Sequence, residues 1–250
     1  MHIVIPARYH STRLPGKPLA DIAGKPLLQR VYERACESGA QNIVIATDDD
    51  RIRQTAEAFG ARVCMTAATH PSGTDRLGEV IATLRIPERD IVVNLQGDEP
   101  LMPPNLIRHV AETLAKHERA VMATACQRLT DMPSFTNPNV VKVVCDSDGY
   151  AAYFSRAPIP WPREQMAHAD ANTPVQALRH IGLYAYRAGF VGRYCSWGPC
   201  PPEAAEQLEQ LRVLWHGERI AVYVTDEAPP TGVDTPEDLE RVRAIFRNGG

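Results

Sequence analysis

The chain has no marked excess of either charge: 27 Lys and Arg stand against 30 Asp and Glu, a formal net charge of -3. That balance excludes a broadly basic nucleic-acid surface and an acidic disordered tail. No apolar run approaches the roughly 20 residues that span a bilayer, so membrane insertion is not expected. No export leader is expected either, because Met1-His2-Ile3-Val4-Ile5-Pro6 reads as a strand-like run with no charged leader before an apolar stretch. The six cysteines (Cys36, Cys64, Cys126, Cys145, Cys195 and Cys200) form no C-x-x-C pair. A thiolate zinc site is therefore disfavoured, and reduced thiols in a cytoplasmic protein are expected. The 250 residues are 44% hydrophobic and 23% charged, which is ordinary for a soluble globular chain and enough for a sizeable core. What is abundant is proline: 21 residues, about 8% against a usual ~5%.

Up to about residue 125, apolar β runs alternate with helical patterns. Ile3–Ile5, Ile43–Ala46, Arg62–Met65 and Ile91–Leu95 read as strands. Helices are predicted over 26–38, from Thr47-Asp48 as a cap to about Phe59, over 74–84 and over 103–117. This alternation predicts a three-layer α/β/α fold around a mainly parallel, Rossmann-like sheet, with ligands beyond the carboxyl ends of the strands. Past residue 126 the pattern loosens. Val140–Val144 and Tyr150–Phe154 read as strands joined by the turn at 146–149, and 155–177 as a Pro-rich loop. His180–Tyr186 reads as a strand, 203–216 as a helix, Arg219–Val224 as a strand, and Asp234-Thr235-Pro236-Glu237 as the start of the last helix. The expected organisation is one domain, 1–250, with a smaller irregular β-containing lobe inserted at about 127–200.

The first strand runs into Pro6-Ala7-Arg8 and on through Ser11-Thr12-Arg13-Leu14-Pro15-Gly16-Lys17-Pro18-Leu19. Arg8, Arg13 and Lys17, with no acid among them at a strand's carboxyl end, suit a polyphosphate. The sequence is neither G-x-x-x-x-G-K-[ST] nor G-x-G-x-x-G, which excludes the two commonest nucleotide cradles at this position. The whole run resembles the signature loop of the 3-deoxy-D-manno-octulosonate cytidylyltransferases, the CMP-Kdo synthetases among the sugar nucleotidyltransferases. That resemblance implies an enzyme joining CTP to the 2-keto sugar acid Kdo, with release of diphosphate, and a homodimer. It assigns Pro6, Ala7, Arg8, Arg13 and Lys17 to the nucleotide, with Arg13 and Lys17 supporting charge during transfer.

Three further segments extend the resemblance. Ser72-Gly73-Thr74-Asp75-Arg76 reads locally as a capped helix start; the resemblance gives Ser72, Gly73, Thr74 and Arg76 to the nucleotide. Asn94-Leu95-Gln96-Gly97-Asp98-Glu99-Pro100 closes the fourth strand with an acid suited to Mg2+. By resemblance Gln96 and Gly97 meet the nucleotide and Asp98 is a metal ligand. Gly232-Val233-Asp234-Thr235-Pro236-Glu237 is a helix start in which, by resemblance, Asp234 shares the metal. The acceptor contacts implied are Arg156, His180, Tyr184, Glu209 and Gln210, each with an ordinary structural reading beside it. A related alternative is the same reaction on an 8-amino-Kdo or sialic-type acid. A glycosyltransferase of similar fold would use an Asp-x-Asp motif, formally matched by Asp48-Asp49-Asp50, but Thr47-Asp48 reads there as a helix cap. A non-catalytic nucleotide-binding protein is the weakest alternative, since the metal and phosphate groups are all present.

Overall fold

A computed structural model describes residues 1–248 apart from Thr12, Pro71, 167–172, Pro174, Ala228 and Thr231. Thr12 of the cationic loop and part of the Pro-rich loop thus lie outside the described residues. The chain runs β1 (His2–Ala7), a 3-10 turn (Lys17–Leu19), the two-residue strands β2 (Asp21–Ile22) and β3 (Lys25–Pro26), and α1 (Leu27–Glu37). There follow β4 (Asn42–Thr47), α2 (Asp50–Ala58), β5 (Arg62–Met65), α3 (Gly73–Thr83), β6 (Ile91–Asn94) and α4 (Pro104–Lys116). Next come β7 (Ala120–Leu129), α5 (Met132–Thr136), β8 (Lys142–Cys145), β9 (Ala151–Ser155) and α6 (Arg163–Met166). The chain continues through β10 (Ala177–Arg187), α7 (Ala188–Ser196), α8 (Pro201–Glu206), α9 (Gln210–Trp215), β11 (Arg219–Thr225) and α10 (Pro236–Arg247).

The central sheet has the order β11-β7-β10-β6-β1-β4-β5. All neighbours are parallel except β10, which is antiparallel to both β6 and β7. The strands β8 and β9 extend it as a short antiparallel ribbon on β10. Alternation along β1 divides the core in two. Ile3 and Ile5 join Leu28 and Val31 of α1, Ile52 of α2, Ile107 and Val110 of α4 and Val242 of α10 on one face. Val4 faces the other way, with Leu77 and Val80 of α3, Phe190 and Val191 of α7 and Leu211 of α9. Helices therefore cover both faces, as the apolar β runs require.

The structure departs from the sequence reading at several places, among them the short helices α5 and α6, which are not predicted. No strand is predicted over Ala120–Leu129, yet β7 lies inside the sheet; its alanines and threonine carry a weak β signal, and burial between neighbouring strands decides. No helix is predicted at Ala188–Ser196, where α7 covers the second face. The helix expected over 203–216 is two helices, broken where Gln207 takes a left-handed φ of 53°. The cap of α2 is Asp49 rather than Thr47-Asp48: its carboxylate accepts from the amides of Arg51 (2.9 Å) and Ile52 (3.4 Å).

Candidate active site

At the carboxyl ends of β1 and β6 a cleft of about 280 Å³ opens between the cationic loop, the start of α3 and the turn after β6. Its walls carry Pro6, Ala7, Arg8, Lys17, Gly73, Gln96, Gly97 and Asp98, so the structure brings these eight sequence-selected residues together. The close approach of two strand ends makes the cleft. A Cβ on Gly97 would lie 2.7 Å from the Pro6 carbonyl oxygen, inside any tolerable contact, so only glycine lets the two loops pass. The Leu95 amide bonds to the Val4 carbonyl (3.0 Å) and fixes their register.

The cationic loop is anchored at its base. Gly16 has φ 69°, and its amide donates to the Tyr9 carbonyl (3.1 Å). The Tyr9 ring lies against Gly16 on one side and carries the Arg51 guanidinium 3.3 Å from its centroid. Asp49, while capping α2, holds Arg51 with both carboxylate oxygens (3.0 and 2.6 Å). The loop is thus tied to the β4–α2 corner by stacking and charge. Arg8 donates to the carbonyls of His70 and Ser72 (3.4 Å to the latter), drawing the segment before α3 over the cleft.

Lys17 emerges from the end of that loop between two carboxylates. Its Nζ lies 2.7 Å from Asp98 Oδ2 and 3.1 Å from Asp234 Oδ1, while Arg13 reaches Asp234 Oδ2 at 3.1 Å. Residue 98 follows β6 and residue 234 precedes α10, so the two acids come from distant parts of the chain. The Val233 amide joins them by donating to the Asp98 carbonyl (2.9 Å). Asp234 is aimed by a capping box, in which the Thr235 hydroxyl accepts from the Asp238 amide (3.2 Å). The Asp238 carboxylate in turn accepts from the amides of Asp234 (3.1 Å) and Thr235 (3.0 Å). Burial would lower the Lys17 pKa, but Asp98 and Asp234 more than offset it and hold the ammonium charged. Burial, then the charges of Asp98 and Asp234, push the neighbouring Glu99 carboxyl up to about 8. Two carboxylates that already converge on one cation, with a third acid behind them, are a donor set that fits Mg2+.

Not every residue assigned to the nucleotide lies open to it. Arg76 is fully buried and does not line the cleft, its guanidinium on Asp48 (2.9 Å) and Thr66 Oγ1 (2.8 Å). Its place in the sequence motif gave no sign of that partner. The Ser72 hydroxyl is engaged in capping α3, accepting from the Asp75 amide (3.2 Å) and donating to the Asp75 carboxylate (2.6 Å). Thr74 is buried and donates to Glu209 Oε2 (3.2 Å). Asp48-Asp49-Asp50 serves locally as well: Asp48 holds Arg76, Asp49 caps α2 and Asp50 meets Arg53 (2.9 Å). Nothing of that triplet faces the carboxylate pair.

Beside the cleft, β10 and α9 present a second group. The Tyr184 hydroxyl donates to Gln210 Oε1 (3.2 Å), leaving the buried Gln210 amide nitrogen without a partner. His180 packs on Phe154 and Tyr184 and places Nε2 2.9 Å from Thr124 Oγ1. That hydroxyl lies 3.1 and 2.9 Å from the Ile181 and Leu183 carbonyls and fills the bulge of β10. With the hydroxyl proton spent on a carbonyl, the imidazole is the donor, and burial lowers its pKa to about 3. Arg156, expected at the acceptor, is committed elsewhere. Its Nε donates to the Glu206 carbonyl (2.7 Å) and an Nη to the Pro138 carbonyl (3.0 Å). Four residues were missed by sequence reasoning: His10, Ser11 and Pro18 also line the cleft, and Asn94 keeps a buried Oδ1 with no partner. Asn94 pairs with Tyr184 across β6 and β10, between both groups. A lone polar side chain ending an apolar strand was the available signal.

A cleft at the ends of parallel strands, with a cationic loop and two converging acids, is the architecture of a nucleotidyltransferase. A putative glucose-1-phosphate thymidylyltransferase from Bacillus anthracis shares the fold at 15% identity, with a TM-score of 0.67 over 99% of this chain and 96% of that one. The model of the cytidylyltransferase family matches residues 2–220, and the chain belongs to that family. It is 60% identical to a 3-deoxy-manno-octulosonate cytidylyltransferase of Vibrio cholerae serotype O1 (strain M66-2), over 97% of this chain and 96% of the relative. Another so named, from Idiomarina loihiensis, is 58% identical over 99% and 98%. A solved CMP:2-keto-3-deoxy-manno-octonic acid synthetase complexed with CTP superposes with a TM-score of 0.89 at 43% identity, covering 98% of both chains.

Proposed function

We propose that this protein is a 3-deoxy-manno-octulosonate cytidylyltransferase: CTP and Kdo give CMP-Kdo and diphosphate. The observation that carries the proposal is the cleft in which the cationic loop, Gly97 and Asp98 meet a second carboxylate, Asp234. In this reading the anomeric 2-hydroxyl of the sugar acid attacks the α-phosphorus of CTP. The bond from that phosphorus to the β-phosphate bridge breaks, diphosphate leaves and the hydroxyl proton goes to solvent. Such transfers need positioning and charge rather than a covalent nucleophile, so Ser11 at the cleft is given no covalent role. Asp98 and Asp234 would hold Mg2+, which when bound supplies positive charge to the α-phosphate and the leaving diphosphate. Arg13 and Lys17 add to that charge, while Gly97, by letting the β1 and β6 loops pass closely, shapes the cleft that Gly73 also lines. The unpartnered Gln210 amide and Asn94 carbonyl offer a donor and an acceptor to a polyhydroxy acid.

Pyrophosphate release with CTP, Mg2+ and a panel of 2-keto sugar acids tests the proposal. Release with Kdo exceeding that with 8-amino-Kdo or a sialic acid is expected, and none with Kdo would overturn it. A cytoplasmic homodimer is part of the same reading: exposed Tyr153 and Trp161 give the lobe apolar surface for a second copy. Among the described residues no helix is long and apolar enough to cross a membrane.

A further inference from the structure

We propose that Lys17 is an exchange cation: it occupies the seat between Asp98 and Asp234 and is handed to the triphosphate when a divalent ion takes that seat. The inference rests on the metal role given above to the two acids. Its ground is geometric. One ammonium nitrogen lies 2.7 Å from Asp98 Oδ2 and 3.1 Å from Asp234 Oδ1, so an ion bound by those same oxygens meets Nζ at contact distance. Two cations so close, in a site where the Lys17 side chain is only 14% exposed, repel too strongly to coexist. The ammonium must therefore leave.

Its route is short. Lys17 lines the nucleotide cleft with Arg8, and its stem has four carbons, so Nζ swings while the backbone stays in place. That backbone is held from both sides: the Lys17 amide donates to the Leu14 carbonyl (3.1 Å), and its carbonyl accepts from the Ala20 amide (3.1 Å). Arg13, 65% exposed and on one carboxylate only, leaves Asp234 more readily and does not define the seat. The charge sum rises in the exchange. With Lys17 and Arg13 both on the pair, two carboxylates and two cations cancel, and both cations are spent on the acids rather than offered to a triphosphate. With a divalent ion seated the pair is neutral and Lys17 is a free positive charge facing the cleft. Metal uptake and anion affinity are then linked, and the linkage is reciprocal.

Mn2+ titrated into the nucleotide-free protein, followed by calorimetry and by the electron paramagnetic resonance of free Mn2+, tests this without turnover. Lys17→Met removes the competitor and is expected to bind Mn2+ at least tenfold more tightly than the unmodified protein. Lys17→Gln, which keeps a donor but no charge, must show the same gain, and far-UV circular dichroism checks that each variant is folded. Asp98→Asn is expected to lose Mn2+ affinity at least tenfold. If Asp98→Asn loses affinity while neither Lys17 variant gains any, the exchange is overturned and the metal site stands. If Asp98→Asn binds Mn2+ as the unmodified protein does, the metal reading itself fails.

Discussion

The sheet from β5 to β6 and the sheet from β10 to β11 end at the same rim but are built by opposite means. On the first side, function-bearing groups sit on loops beyond strand ends, and charge does the organising: Lys17 on two carboxylates, Arg13 on one, Arg8 on backbone carbonyls. On the second side they sit on strand and helix faces, and neutral contacts organise them. His180 packs edge-to-face on Phe154 and tilted on Tyr184, and Tyr184 meets Gln210. Under the proposed function the two substrates would be told apart accordingly: a triphosphate mainly by charge, a sugar acid by a shaped array of hydrogen-bonding groups with few spare partners.

Removing a charge is the sharpest way to test the contrast. Asp98→Asn keeps shape and removes one of the two acids that meet Lys17. Turnover, measured as pyrophosphate release, is expected to fall by about 10²- to 10³-fold, the scale of losing a main electrostatic contribution, while CTP binding by calorimetry changes much less. Full activity in that variant would remove Asp98 from the metal site and leave the rim without its electrostatic centre.

Backbone clearance gives the next largest effect. Gly97→Ala places a methyl 2.7 Å from the Pro6 carbonyl, and neither partner is a flexible side-chain end. A loss of about 2 kcal/mol in urea unfolding is expected, together with weaker CTP binding. Gly182→Ala, in β10, meets nothing within 4 Å and is expected to stay within about 0.5 kcal/mol of the parent. Equal costs at both glycines would show that clearance does not distinguish the two halves.

The same contrast explains what was legible in the sequence. Loops at the ends of parallel strands announce themselves: the topology fixes where they lie, and runs such as Gln96-Gly97-Asp98 keep their chemistry in consecutive residues. Residues 3–5, 43–46 and 91–94 read as strands because both faces are largely buried, whereas 62–65 forms the edge strand β5, with Arg62 and Met65 exposed. The partner of a side chain is a different matter. Arg76 and Asp48 are 28 residues apart, and only the packing of α3 against the end of β4 makes them an ion pair. Arg156 read equally well as an anion contact until its guanidinium was found on backbone carbonyls. The interior strand β7, rich in alanine, was hidden for the same reason, since its burial comes from neighbours on both sides rather than from its own pattern.

Acid titration probes the neutral half and has the smallest expected effect. His180 is held uncharged by burial, with a folded pKa of about 3 against 6.5 unfolded, so between those values the unfolded chain binds a proton that the folded one refuses. The stabilisation is complete at pH 7 and is lost as pH falls through 6.5. His180 keeps some solvent contact as a residue, which weakens that shift and leaves about 1 kcal/mol lost between pH 7 and pH 5. His180→Gln keeps a donor for the Thr124 hydroxyl but has no titration, so its urea-unfolding free energy is expected to fall less over that interval by the same amount. Other groups titrate alike in both proteins and cancel in the difference. Identical pH slopes would mean that His180 takes up its proton as freely when folded as when unfolded. The β10 side would then be as open to water and charge as the nucleotide cleft, and the contrast between the two halves would fail where it is most specific.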